Sequence, residues 1–275
     1  MAKPLFLVEN LFSEVQFPHH VVEASTEAPR CEAWRVATGR RSPYDRWTPA
    51  LDNAESWIQV DCGAARTADM VAIDRGHTLA GRLIHLEHSA DAAAWTAAFT
   101  GILPAATAQA TAAAGAMTPE GAWLKRFAGA AARYWRLRVP AMGAGRRPVV
   151  VGLWVGRSWA AEEYLDLPYG PASRDLAFGE RVSDAGWVGV SPITRARGGE
   201  LHIRLGGPAD EAEARYHIEE HFWRRRPMWI LHDGDRADGA VLGVPLPGRV
   251  GFETREGWSR GQADVAWTEH EPVLD

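Results

Sequence analysis

Histidines, aspartates and tryptophans are the residues through which this chain could do chemistry. His217, Glu220 and His221 form a His-x-x-Glu-His pattern. On a helix that spacing sets both imidazoles on one face, as two zinc ligands would stand. Phe222 and Trp223 follow at once and no third-ligand segment appears in the short remainder, so the pair is read as solvated or interface histidines. His19-His20 after Pro18 is read as an exposed turn. The string Asp233-Gly234-Asp235-Arg236-Ala237-Asp238-Gly239 offers oxygen donors for calcium but lacks the bidentate glutamate, and a polar turn explains it. No GxSxG, HExxH, GxGxxG or phosphate-loop pattern occurs, so no catalytic set is expected and the chain is not read as an enzyme.

The 13 tryptophans, against 5 tyrosines and 8 phenylalanines, stand out more than any titratable group. A large rigid indole serves a core, a contact surface or a sugar platform. Trp34, Trp47 and Trp95 are the candidates for glycan contact, with core or interface as the competing use of each. The net charge of -5 argues against a general nucleic-acid binder. No apolar run is long enough for a membrane span. The apolar stretch after Met1 breaks at Glu9, too soon for a secretion signal, so folding in the cytoplasm is expected. Cys31 and Cys62 are read as two separate thiols, a bridge between them being the alternative.

The elements that must position these residues are mostly strands. Residues 56–61, 68–73, 82–89 and 134–139 alternate, or nearly so, with period two. In the last of these Arg136 and Arg138 oppose Trp135, Leu137 and Val139. Residues 149–155 read as a strand covered on both faces. The alanine-rich stretch 105–116 is expected to be a loop insertion, with a short exposed helix as the alternative. Further on, 181–190 and 200–205 read as strands. A helix is expected over 208–226, with Pro208 in its first turn, acidic residues early, Arg224-Arg225-Arg226 late, and Ala214, Ile218 and Phe222 on one stripe. Met228-Trp229-Ile230-Leu231 is a short buried strand, followed by strands near 248–255 and 262–269. These boundaries divide the chain into a β-sandwich at 1–157, a linker or arm at 158–179 and an α+β domain at 180–275.

The first part resembles the discoidin family (coagulation-factor type C). The landmarks are Asp52-Asn53-Ala54-Glu55-Ser56-Trp57-Ile58-Gln59-Val60-Asp61-Cys62-Gly63, the segment 86–95, Ala132-Arg133-Tyr134-Trp135-Arg136-Leu137, and a closing strand at Val155-Gly156. The resemblance implies a galactose-binding-like jelly roll. Many such domains hold a structural calcium near their first loops, where Asp45, Asp52 and Asn53 are the local donors, with turn formation as the alternative; no other cofactor is expected. The paired terminal cysteines of extracellular members are missing. The second part resembles bacteriophage tail and distal-tail domains through His217-Ile218-Glu219-Glu220-His221-Phe222-Trp223-Arg224-Arg225-Arg226-Pro227-Met228-Trp229-Ile230. That likeness implies a ring-forming tail-tip or baseplate component of a virion, docking to other tail proteins. His217, His221, Trp223, Arg224, Arg225 and Arg226 are its interface candidates. The alternative is a carbohydrate-binding module recognising cell-surface glycans.

Overall fold

The computed structural model describes residues 3–38, 45–105, 112–119, 121–162, 172–182, 188–224, 226–234, 239–254 and 261–269. For 172–200, 204, 219–224 and everything from 245 onward it describes the backbone path alone. The chain is mainly β, with one helix. Its early strands are β1 (Leu5–Leu7), β2 (Val21–Ala24), β3 (Ser56–Ile73), β4 (Leu83–Ser89), β5 (Thr96–Ile102), β6 (Ala116–Met117), β7 (Trp123–Val139) and β8 (Leu153–Gly156). After them come β9 (Ser158–Ala160), β10 (Ala172–Val182), β11 (Val188–Arg204), helix α1 (Pro208–Arg224), β12 (Met228–Leu231), β13 (Val241–Thr254) and β14 (Gly261–Glu269).

Two long strands organise the first part. The segments 56–61 and 68–73, expected as separate strands, are the two ends of β3, which pairs antiparallel with β7. The ladder slips between Asp61 and Arg66 and again between Ala68 and Met70. A slip of this kind bends a strand and sharpens its twist. The first half of β3 therefore lies in an outer layer ordered β2-β3-β7-β4-β5, and its second half pairs with β8 and with the start of β7. Ile58, Val60, Trp135 and Leu137 from the outer layer meet Val71, Ile73, Trp123, Leu153 and Val155 in one core, giving an antiparallel β-sandwich.

The second layer of this sandwich is buried on its other face too. Met70, Ala72, Leu124 and Trp154 pack against Leu5, Leu7, Trp229, Leu231 and Leu242. Those residues belong to a second sheet ordered β10-β11-β14-β13-β12-β1-β9. The alternate residues of its short central strands, Phe6, Val8, Met228 and Ile230, pack with Ala214 and Ile218 of α1. Leu5–Leu7 and Met228–Leu231 are thus apolar throughout because both their faces are covered.

This corrects the division expected from sequence. Leu5–Leu7 lies inside the expected sandwich range but pairs with β12 and β9 of the second sheet. The expected linker begins as strand β9, and Ala161 is buried with its amide on the Pro4 carbonyl. The cause is the unbroken apolar run at the N-terminus, which finds its partner more than two hundred residues along the chain. At the seam, a Cβ on Gly156 would lie 2.1 Å from the Glu9 carbonyl oxygen, so the close approach requires glycine. Of the alanine-rich stretch, 106–111 lie outside the described residues; 112–114 form a turn that leads into β6, with Ala112 and Ala116 buried and Ala113 and Ala114 exposed. Helix α1 starts at Pro208 as expected, and Asp210 accepts from the Gly206 and Glu162 amides at 2.9 and 3.2 Å.

Candidate functional site

The sandwich has one broad described face not covered by another layer, the outside of its outer layer. Alternation decides what stands there. Ile58, Val60, Leu137 and Leu86 point inward and are fully buried, so their neighbours Trp57, Gln59, Arg136, Arg138, His85 and Glu87 point outward. Antiparallel register then lines them up in rows. Trp57 pairs with Arg138 and Arg138 with His85; Gln59 pairs with Arg136 and Arg136 with Glu87.

Glu87 is the hub. Its Oε2 accepts from Arg136 Nε at 2.6 Å, and its Oε1 accepts from Arg138 Nε and Nη2 at 3.0 and 2.9 Å. Arg138 Nη1 also donates to Glu55 at 2.8 Å. Burial pushes the Glu87 carboxyl upward, but the hydrogen bonds from Arg138 and Arg136 outweigh it and hold the pKa below the ordinary value. Two guanidiniums thus face Glu87 and Glu55, and a third carboxylate, Glu23, stands at the end of the row. Arg136 also lies 3.9 Å over the Trp95 ring, whose indole N–H is held by the Ala92 carbonyl at 3.1 Å. Among the described residues, the terminal amino groups of Arg136 have no hydrogen-bond partner. At the end of the row, His85 Nδ1 lies 3.0 Å from the Thr100 hydroxyl, and Gln59 donates to Glu23 at 3.1 Å.

The result is a flat strip of planar polar side chains flanked by two half-buried indoles, Trp57 and Trp95. It spans three inter-strand gaps, about 14 Å. Planar groups with fixed donors and acceptors are suited to paired hydroxyls, and an indole is suited to the apolar face of a ring. Sequence reasoning named Trp95 and set Arg136 and Arg138 on one face, but missed Trp57, Glu87 and Gln59. Trp57 carries a usable signal: it is in phase with Gln59 and Asp61, not with Ile58 and Val60.

The other candidates fall elsewhere. Trp47 is a correction: its ring is fully buried in the sandwich core, with the indole N–H on the Thr26 carbonyl at 3.1 Å, so it cannot stack on a sugar. Trp34 is 44% exposed on a 3-10 turn (Ala33–Ala37), with the Arg35 guanidinium 4.9 Å from its ring centre. The three calcium donors are engaged separately. Asp45 faces Arg35 at 3.7 Å, Asp52 accepts from the Gly145 amide at 2.8 Å, and Asn53 occupies a turn at φ 50°. Among the described residues no three His, Cys, Asp or Glu side chains stand together as a metal site would need.

His217 is buried and contacts the Trp159 and Tyr216 rings, so it is a packed core residue and not an exposed interface group. Burial, aided by Arg157, pushes its pKa down to about 4. Arg226 is also buried, donating to the Val15 carbonyl at 2.9 Å. The side chains of His221, Trp223 and Arg224, and all of Arg225, lie outside the described residues. His20 is buried, stacked on Phe17 and 2.8 Å from the Leu11 carbonyl, whereas the expectation was an exposed turn. Cys31 and Cys62 are both free, and burial pushes the Cys62 thiol up to about 12.

No family model matches the chain, and no curated protein matches it. Solved structures do. Chitosan-binding module 1 of the chitosanase/glucanase from Paenibacillus sp. IK-5 is 20% identical, covering 54% of this chain and 99% of its own, with a TM-score of 0.41. Chitosan-binding module 2 of the same enzyme, solved with chitotriose, is 15% identical over 54% of this chain and 100% of its own, with a TM-score of 0.40. CpGH89CBM32-5 from Clostridium perfringens, solved with GalNAc-β-1,3-galactose, is 13% identical over 52% of this chain and 99% of its own, with a TM-score of 0.41.

Proposed function

We propose that this protein binds carbohydrate on the outer face of its sandwich, between Trp57 and Trp95. The observation that carries it is Arg136: stacked on Trp95, anchored at Nε by Glu87, and with terminal donors that meet no partner among the described residues. A guanidinium so held loses little freedom on meeting a hydroxyl pair, which is where preorganisation raises affinity. The row pairs its two guanidiniums with carboxylates, so no excess of positive charge selects an anionic sugar. Trp57 supplies the second stacking surface, beside Arg138.

The test is a glycan array followed by calorimetry on the best binder. Arg136→Ala and Trp57→Ala should each weaken binding about tenfold or more, the scale of a charge-assisted hydrogen bond or a stacked ring. Trp34→Ala should leave it unchanged. A protein that binds no glycan sinks the proposal. Loss on Trp34→Ala with retention on Trp57→Ala would move the site to the first long loop.

A further inference from the structure

The hairpin beside the outer face is shaped by two side chains. β4 ends at Ser89 and β5 begins at Thr96, and the tip between them carries Ala92-Ala93-Ala94, which offer no polar side chain to form a turn. Ser89 Oγ accepts from the Asp91 and Ala92 amides at 3.2 and 3.0 Å and donates to Asp91 Oδ1 at 3.0 Å. Asp91 Oδ1 accepts in turn from the Ala93 and Ala94 amides at 2.9 and 3.1 Å. Every amide from 91 to 94 is thereby fixed, and Ala92 is held at a φ of 63°, a left-handed conformation that alanine seldom adopts unaided.

That backbone sets an indole. The Ala92 carbonyl accepts from Trp95 Nε1 at 3.1 Å, and the Trp95 ring centre lies 3.9 Å from the Arg136 guanidinium. Glu87 anchors Arg136 at Nε, and the stacked ring fixes the plane in which its terminal amino groups lie. The Ala93 and Ala94 amides, with the Ser89 hydroxyl, hold the Asp91 carboxyl below its ordinary pKa, so it stays an ionised acceptor at neutral pH. Asp91 is itself exposed, and among the described residues it bonds only within the turn.

We propose that Asp91 is a positioning residue for glycan binding: through the turn it holds the Trp95 ring, and through the ring it holds the plane of Arg136. This rests on the carbohydrate reading of the outer face and adds the residue that preorganises its main donor. A guanidinium free to turn has to be ordered when the hydroxyls arrive, which weakens binding without removing a contact.

Calorimetry on the full chain, with the best binder from the glycan array, reads the effect. Asp91→Ala should weaken binding about fivefold, and Asp91→Asn, which keeps an accepting oxygen, should restore most of it. A carboxylate that merely supports the fold would act alike in any background, whereas a positioning one acts through Arg136. Asp91→Ala made on top of Arg136→Ala should therefore cost nothing further. By NMR, the Trp95 indole N–H, assigned by its loss in Trp95→Phe, should exchange with water faster in Asp91→Ala and at the native rate in Asp91→Asn, with or without glycan. Because Asp91 is exposed, neither change touches the core. A wild type that binds no glycan overturns the carbohydrate reading and this role with it. Glycan binding by the wild type with unchanged affinity in Asp91→Ala, an equal loss in both backgrounds, or an indole signal indifferent to Asp91→Ala overturns the positioning role alone.

Discussion

The two halves of β3 and β7 are made of the same strands but covered differently. Over Trp57–Asp61 and Tyr134–Arg138 one face meets the core and the other meets water, and the sequence alternates accordingly. Over Met70–Ile73 every residue is buried, because core lies on one side and the second sheet on the other. The lesson concerns where function can live. Over Met70–Ile73 β3 is committed to joining the two sheets, and the continuous row of polar side chains stands on the half-exposed stretches.

The largest effect should come from breaking the covered half. Trp229 is 1% exposed in the seam. Trp229→Ala should cost about 3–5 kcal/mol and separate the unfolding of the two sheets in a denaturant titration. A loss under about 1 kcal/mol with a single sharp transition would show that the seam does not hold the sheets together. A smaller effect is expected on the exposed half. Arg136→Ala leaves Glu87 largely buried with Arg138 as its remaining partner, at a cost of about 2 kcal/mol. Arg136→Ala combined with Glu87→Gln should recover part of that loss, since the buried charge goes with its partner; a double variant worse than the single would contradict the pairing.

This contrast explains how far the sequence could be read. Alternation in 134–139 placed Arg136 and Arg138 on the outer face, and the helix start and the strand at Met228–Leu231 were legible from period and turn chemistry. The union of 56–61 with 68–73 was not, because residues 63–67 are exposed and polar or small, as a turn would be, yet the backbone stays in strand across the slip. Leu5–Leu7 is too short to show a period, and its partner β12 is distant in sequence. Trp47 and Trp57 illustrate the limit of composition. Both are indoles in the same stretch of chain, and only strand phase and tertiary pairing send one into the core and the other to the surface.

Acid should act on the two regions in different pH windows. His217, in the covered part, has its pKa lowered to about 4, with burial as the main cause and Arg157 adding to it. The native state keeps it neutral while the unfolded chain takes up a proton below about 6.5, so stability present above that pH is lost progressively down to about 4. Asp61, on the exposed half, is held down to about 2 chiefly by the Arg133 guanidinium, which donates to both of its oxygens at 2.7 Å. Its contribution is complete above about 3.9 and is lost as pH falls toward 2. In a series of Tm values, His217→Gln should therefore shallow the slope between pH 6.5 and 4, without abolishing it, since burial lowers His77 and His232 in the same direction. Asp61→Asn should leave that window alone and flatten only the one below it, and by less, because Arg133 is 44% exposed and water screens the pair. If Asp61→Asn instead changed the slope near pH 5, the carboxylate would be titrating far above its paired value, and the Arg133 contact would not be holding it.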